Sequence, residues 1–355
     1  MAAYIKGAAV ISPQKTFGDQ GFPEEIVGYH QVSNLKCIEP VYRDFIDPMV
    51  ARRMSRIVKM GVCSALQCMR DTGISMPDAI IAGTGLGCLE DTEKFLASVY
   101  TNDEKLLNPT PFIQSTHNTL AGAIALAVKC HNYNATYTHR GFSFEGALTD
   151  AFLHLEENPQ LNILAGSFDE LTTHSYQITS RLGLWKNHPV NSLELMHDRS
   201  RGSLPGEGVA FFMLSGKNSP TDLALLKSVE TFYKPGNYKA IEQRIDHFLA
   251  GQGLKPVDID LVITGINGDT TRDQVYHQLM DRMLKGRPFT CFKNLCGEYD
   301  TSSSFALWLA AMILKTQRIP EAIQPGDPIP GEINRILIYN HLRGNNHVLY
   351  LIERC

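Results

Sequence analysis

Apolar positions along the chain follow two periods. From Val50 to Thr72, Met54, Ile57, Val58, Val62, Ala65, Leu66 and Met69 recur at spacings of three and four, with Arg52, Arg53, Arg56, Lys59 and Arg70 mostly between them. That is the pattern of one amphipathic helix, and Gly73 is placed to stop it. The same period predicts helices over Leu120–Cys130, Ser143–Leu155, Ala240–Ala250, Thr271–Leu284 and Ser302–Lys315. Short apolar runs predict strands at Ala79–Ala82, Leu161–Ala165, Val209–Leu214, Leu261–Thr264, Phe289–Phe292, Ile336–Tyr339 and Val348–Ile352. Alternation of the two implies a layered α/β architecture.

A polar break, GKNSPT at 216–221, divides the chain into halves 1–217 and 218–355. The first half closes on GEGVAFFML and the second on RGNNHVLYLI, each a glycine turn into an apolar strand. Two explanations stand: a twofold repeat, or the habit of α/β chains of ending segments on buried strands. Ile319–Pro330 reads as a surface loop.

Composition narrows the class. With 43% hydrophobic and 20% charged residues the chain is an ordinary soluble globular protein. A net charge of −4, from 33 basic and 37 acidic side chains, offers no sequence-wide attraction to nucleic acid or anionic membranes. No apolar run reaches the roughly 18–20 residues that span a bilayer, and MAAYIKGAAVISPQ is too short in its apolar part for a signal peptide. The 8 cysteines, without CxxC pairs, read as reduced buried thiols, so the expected location is the cytoplasm.

Candidate chemistry is sparse. GTGLG at Gly83–Gly87 falls short of a dinucleotide loop, because Cys88 takes the last glycine position; a turn leaving a buried strand is the plainer reading. NATYTHRGFSFEGAL, 134–148, reads as strand, elbow and helix, with Ser143 capping the helix and Glu145 in its first turn. Such elbows expose nucleophiles, yet the tip here is His139-Arg140-Gly141. His139 with Arg140 could be an acid/base and anion-binding pair, and Ser143 a displaced nucleophile; packing at a subunit boundary is the plainer role. None of the 12 histidines makes HxH or HExxH spacing, so no metal site is expected, and His188, His197, His341 and His347 read as solvated loop residues.

Several segments together resemble one family. They are ARRMSRIVKMGVCSALQCMRDTG, AGTGLGCLEDTEKF, NPTPFIQSTHNTLAGAIAL, AGSFDE, LPGEGVAFFML, CFKNLCGEYDTSSSFALWLAA and LRGNNHVLYL, in this order. Over nearly its whole length the chain resembles the β-ketoacyl synthases, the condensing enzymes of the thiolase fold. The resemblance implies a five-layered α-β-α-β-α fold built from two similar halves. It also implies a cysteine nucleophile at the elbow, where this chain has Gly141. The family's first catalytic histidine falls on Gly265 in TGINGDTTRD, and the second falls on Glu298, with Lys293 of the lysine-bearing loop retained. Leu342 stands where the family has a gating phenylalanine.

Condensation needs a thiolate to carry the acyl chain and two imidazoles to stabilise the enolate, and glycine supplies neither. Glu298 would add negative charge where negative charge develops, unless Lys293 neutralises it. The resemblance therefore implies a subunit of the chain length factor type, with no catalytic residue, metal or cofactor of its own. Such a subunit pairs with an active ketosynthase in type II fatty acid or polyketide synthesis, in a setting such as aryl polyene or flexirubin-like pathways. It would shape the acyl tunnel near His139, Arg140, Phe142 and Leu342. An acyl carrier protein is the second expected partner, with Arg52, Arg53 and Arg56 as a basic patch for it. Two alternatives stand beside this: an acyltransferase or hydrolase using Ser143, His139 or Glu298, and a homodimeric non-catalytic scaffold.

Overall fold

The computed structural model describes residues 2–18, 25–324, 326 and 331–355. Among the described residues ten strands form one mixed sheet: β1 Ala3–Ile11, β2 Ala79–Gly83, β3 Tyr133–Tyr137, β4 Asn162–Asp169, β5 Gly208–Ser215, β6 Ala224–Tyr233, β7 Leu261–Thr264, β8 Phe289–Cys291, β9 Arg335–Leu342 and β10 Asn346–Glu353. Their order is β3-β2-β4-β5-β1-β6-β10-β9-β7-β8. In the first five, β2 runs parallel to β3 and β4, while β5 is antiparallel to β4 and β1. The last five repeat this scheme, with β7 parallel to β8 and β9, and β10 antiparallel to β9 and β6. The two sets join where β1 pairs with β6.

The helices are α1 Pro48–Ala51, α2 Arg56–Thr72, α3 Leu89–Thr101, α4 Pro109–Gln114, α5 Thr119–Val128, α6 Ser143–Glu157, α7 Thr173–Arg181, α8 Tyr238–Ala250, α9 Gln274–Asp281, α10 Lys293–Cys296 and α11 Ser303–Thr316. Alternate strand residues show how they layer. Ile81, Ile163 and Phe212 from the first set, and Ile263, Ile338 and Tyr350 from the second, pack on the same central core as α6 and α11. The opposite faces bury Ile80, Leu164 and Phe211 with α2 and α5, and Val262, Leu337 and Leu351 with α8 and α9. This is the α-β-α-β-α arrangement that the resemblance implies. Strands covered on both faces explain the continuous apolar runs of the sequence.

Some elements depart from the sequence reading. The helix expected from Val50 is two, because Ser55 adopts an extended conformation and α2 begins after it. Asp47 caps α1 through a 2.7 Å bond from Met49 N–H, and the apolar Met49 and Val50 face solvent rather than the core. The helix expected from Thr271 begins at Gln274, because the preceding loop is held by the Asp273 carboxylate, which accepts the Asn267 N–H. Ile323 of the expected surface loop is buried, while 325 and 327–330 of that loop lie outside the described residues. Cys37, Cys63, Cys68, Cys88, Cys130, Cys291 and Cys296 are buried free thiols and Cys355 is exposed. Among the described residues no helix is long and apolar enough to cross a membrane.

Candidate functional site

The elbow follows β3. A single 3-10 turn, Arg140–Phe142, leads directly into α6, and Arg140 takes a left-handed φ of 52°. The His139 ring stacks on Phe142 at 5.6 Å between centroids. Ser143 does not cap the helix as expected; it is fully buried, and its hydroxyl accepts the His139 N–H at 2.7 Å. That bond closes the elbow, and burial takes the Ser143 hydroxyl away from the surface. Glu145 is buried too, accepting hydrogen bonds from Ser303 Oγ at 2.6 Å and from the Tyr350 hydroxyl, and burial pushes its carboxyl up.

Residue 141 meets the turn between β9 and β10. A Cβ placed on Gly141 would lie 2.8 Å from Leu342 Cδ2, 3.0 Å from Leu342 Cβ and 3.1 Å from Asn346 Cβ. Leu342 is buried against this glycine, so the structure brings two of the sequence-derived positions into contact.

Gly265 directly follows β7 and donates its N–H to Tyr339 O at 3.1 Å. A Cβ there would meet Asn340 Oδ1 at 2.2 Å and the Tyr276 hydroxyl at 2.5 Å. The hydroxyl in turn accepts the His341 N–H at 2.9 Å. Space for a side chain at 265 is therefore taken by Tyr276 and Asn340, neither of which the sequence singled out.

Lys293 and Glu298 form a buried ion pair. The ammonium is 2.8 and 3.0 Å from the two carboxylate oxygens and donates to His341 O at 3.1 Å. Asn267 Nδ2 donates to the same carboxylate at 2.6 Å. The charge of Glu298 is thus balanced in place. Both partners are within 3% of complete burial, where such a pair persists only when its remaining bonds are satisfied.

A second carboxylate group adjoins the elbow. Asp169 at the end of β4 accepts from Thr84 Oγ1, Gly85 N–H, Thr301 N–H and Thr301 Oγ1, at 2.7–3.1 Å. Burial, with Asp300 nearby, still pushes its carboxyl up to about 7. Asp300 is 3.6 Å from Arg140. AGSFDE and CGEYD contain both aspartates, but nothing local in the sequence shows that they converge.

The histidines divide. His188 and His197 are exposed as expected, whereas His341 and His347 are buried on β9 and β10. His341 Nε2 bonds Arg272 O at 3.1 Å; His347 bonds the Tyr339 hydroxyl at 2.9 Å and Gly344 O at 3.1 Å. Burial pushes both down, His347 to about 4, so neutral rings complete these bonds. They edge a cleft of about 590 Å³ whose rim includes Lys234, Asn237, Tyr238 and Arg272. A second cleft of about 610 Å³ is lined by Lys36, Arg56, Glu90, Glu93, Glu170 and His174. Arg56 is not part of an open basic patch: it is part-buried and bonds Glu207 at 2.7 Å, while Arg52 and Arg53 are exposed. Among the described residues no group of three or more His, Cys, Asp or Glu is placed to hold a metal ion.

Comparison with known proteins fits this fold. Residues 30–196 match the family described as beta-ketoacyl synthase, N-terminal domain. That match covers just under half of the chain, and the chain as a whole has the thiolase-like ketosynthase fold. No curated protein matches it in sequence. Among solved structures it is similar to the ishigamide ketosynthase/chain length factor, at 15% identity and TM-score 0.79, covering 100% of this chain and 99% of that one. It is also similar to a beta-ketoacyl synthase from Burkholderia phymatum STM815, at 15% identity and TM-score 0.75, covering 99% of each chain. A third is the ketosynthase ApeO in complex with its chain length factor ApeC from Xenorhabdus doucetiae, at 14% identity and TM-score 0.76, covering 100% of this chain and 98% of that one.

Proposed function

We propose that the chain is a catalytically silent ketosynthase-like subunit of the chain length factor type. It pairs with an active β-ketoacyl synthase and an acyl carrier protein in type II fatty acid or polyketide synthesis. One observation carries the reading: each position assigned to the family's catalytic side chains is filled by other packing. Leu342 covers Gly141, Tyr276 and Asn340 occupy the space beside Gly265, and Glu298 is ion-paired with Lys293 and accepts a hydrogen bond from Asn267. An active partner then has to supply the nucleophile and the proton donors. The fold shared with a ketosynthase/chain length factor pair supports this.

The sheet edge at β3 supports pairing. Among the described residues Tyr133–Tyr137 has a neighbouring strand on one side only, and Tyr133 on it, Leu126 on α5 and Leu153 on α6 are exposed. An unpaired strand flanked by apolar side chains is a docking edge for another chain. The cleft edged by Lys234 and Arg272 is the proposed seat for the phosphate-bearing arm of a carrier protein. The division into halves 1–217 and 218–355 belongs to the same reading, supported by the matching strand order on either side. So does a tunnel wall at His139, Arg140, Phe142 and Leu342. Burial of Ser143 argues against the hydrolase alternative.

The test is co-expression with a cysteine-bearing ketosynthase and carrier protein from the same genome. Co-purification in a one-to-one complex, with turnover only in its presence, is expected. Turnover by this chain alone would refute silence; a stable homodimer that excludes every ketosynthase would favour the scaffold.

A further inference from the structure

The open edge of β3 is built around one carboxylate. The Tyr133 hydroxyl donates to Asp150 Oδ2 at 3.1 Å, and the Tyr133 ring lies 4.6 Å from the His154 ring, whose Nε2 is 3.6 Å from Asp150 Oδ1. Tyr137 completes the ledge. Its ring rests on Gly146 of α6, where an added Cβ would come within 3.1 Å of Tyr137 Cδ1. A glycine inside a helix is costly beside alanine, so this seat for the ring is a specific feature of the face. Gly146, Asp150, Leu153 and His154 follow at helical spacing and share one side of α6.

The Asp150 side chain is only 12% exposed before any partner arrives. Docking on the edge removes its remaining water, and a desolvated carboxylate persists only when a cation balances it. The docking face supplies no permanent one. α5, β3 and α6 contain no Lys or Arg, and among the described residues the only ion-pair partner of Asp150 is His154, a cation only where it is protonated. The further charges on the exposed side of α6 are Glu156 and Glu157, again acidic.

A second copy of the chain fits this face poorly. A twofold axis pairs an edge strand antiparallel with itself, so the start of each strand meets the end of the other. Lys129, just before the start, then lies at the end away from the other copy's Asp150. Arg140, just after the end, lies toward it but is held 3.6 Å from Asp300, whose side chain is 9% exposed and would be stranded by its departure. Self-pairing therefore desolvates two Asp150 carboxylates with no cation free to meet them.

We infer that Asp150 selects the occupant of the β3 edge: it admits a ketosynthase subunit that sets an arginine or lysine against it, and turns away a second copy of this chain. This rests on the reading that the edge pairs with a ketosynthase.

Equilibrium association of the full chain, measured by analytical ultracentrifugation, tests it in two arms. Each counts only association that Thr136→Pro abolishes, since the Thr136 N–H faces the open side of β3. Asp150→Asn keeps an acceptor for Tyr133 and loses the charge. With a cysteine-bearing ketosynthase from the same genome it is expected to weaken binding about tenfold or more, and added salt to weaken the wild-type pair more than the variant's. For the chain alone it is expected to strengthen self-association about tenfold or more, because two uncompensated charges leave the contact. Binding of the ketosynthase as tight as the wild type's, or self-association unchanged by the substitution, overturns the inference. If no ketosynthase binds the wild-type chain, the pairing reading fails and the self-association arm alone decides. Stronger self-association of Asp150→Asn then upholds the exclusion of a second copy, and a wild-type homodimer as tight as the variant's overturns it. Should Asp150→Asn misfold by circular dichroism, Asp150→Ala is read against the same two expectations.

Discussion

Replacing Gly141 by alanine separates a sealed position from an open one. At an open, unstrained site the change would stabilise the protein by about 0.4–1 kcal/mol, through the lower entropy of the unfolded chain. Here the added Cβ comes within 2.8 Å of Leu342 Cδ2 and within 3.0–3.1 Å of two further Cβ atoms, those of Leu342 and Asn346. The leucine tip can turn aside, but the two Cβ atoms move only with their backbone. A cost of about 1–3 kcal/mol follows from overpacking. For a chain of 355 residues that lowers the melting temperature by roughly 1–4 °C. Leu342→Ala alone should cost about 2–5 kcal/mol as a buried truncation. The double variant should cost less than the two together, because the new methyl enters the space that the leucine leaves. Gly83→Ala is the severe control, since its Cβ would lie 2.3 Å from the Ser143 backbone oxygen, which cannot turn aside. Urea unfolding of the four variants reads all of this. A neutral or stabilising Gly141→Ala, or strictly additive effects at 141 and 342, would refute the sealed position.

Further outcomes follow from the same geometry. Gly141→Cys should fail to restore condensation in the isolated chain, because Gly265 and Glu298 still supply no imidazole; measurable condensation from carrier-bound substrates would contradict this. Lys293→Met leaves the Glu298 charge buried and should cost about 3–5 kcal/mol, with Lys293→Met/Glu298→Leu recovering most of it in the same unfolding assay; a harmless single change would contradict the ion pair. Burial pushes the Asp273 carboxyl from 3.8 up to about 7, so between those values the folded chain keeps a proton that the unfolded chain has released. Its contribution to stability therefore falls as pH rises through that window and levels off above it. Asp273→Asn should flatten the decline in the urea midpoint between pH 5 and pH 8, and an undiminished slope would contradict the burial argument. Tyr137 O accepts the Thr84 N–H from the β2 side, so the Thr136 N–H faces the open edge; Thr136→Pro removes that donor and should weaken co-purification with a ketosynthase partner while leaving the fold of the chain intact by circular dichroism, and full co-purification would move the interface elsewhere.

The sequence revealed those strands whose two faces are both covered. GVAFFMLS of β5 and LVIT of β7 are continuous apolar runs because helices lie on either side. By contrast β6, ALLKSVETFY, alternates buried with half-exposed positions and carries Lys227, Ser228 and Glu230, so it offered no such run. β1 contains Lys6 and Gly7 at a register shift that turns its buried residues from one face to the other. α3 has one buried residue, Asp91, and therefore no apolar stripe to read. At the site, positions 141, 265, 293, 298 and 342 could be placed by resemblance. What fills the space around them could not, because Tyr276 comes from α9, Asn340 from β9 and Asp300 from the loop after α10. His341 and His347 were misread for the same reason: tertiary packing, absent from the local pattern, buries them.

Silence is the central claim, and intact-protein mass spectrometry tests it most directly. The purified chain is incubated with an acyl carrier protein thioester, alone and with a cysteine-bearing ketosynthase. The account predicts an acyl adduct on the partner's cysteine and none on this chain in either case, with condensation confined to the mixture. A stable acyl adduct on this chain, or condensation in its sole presence, would contradict it.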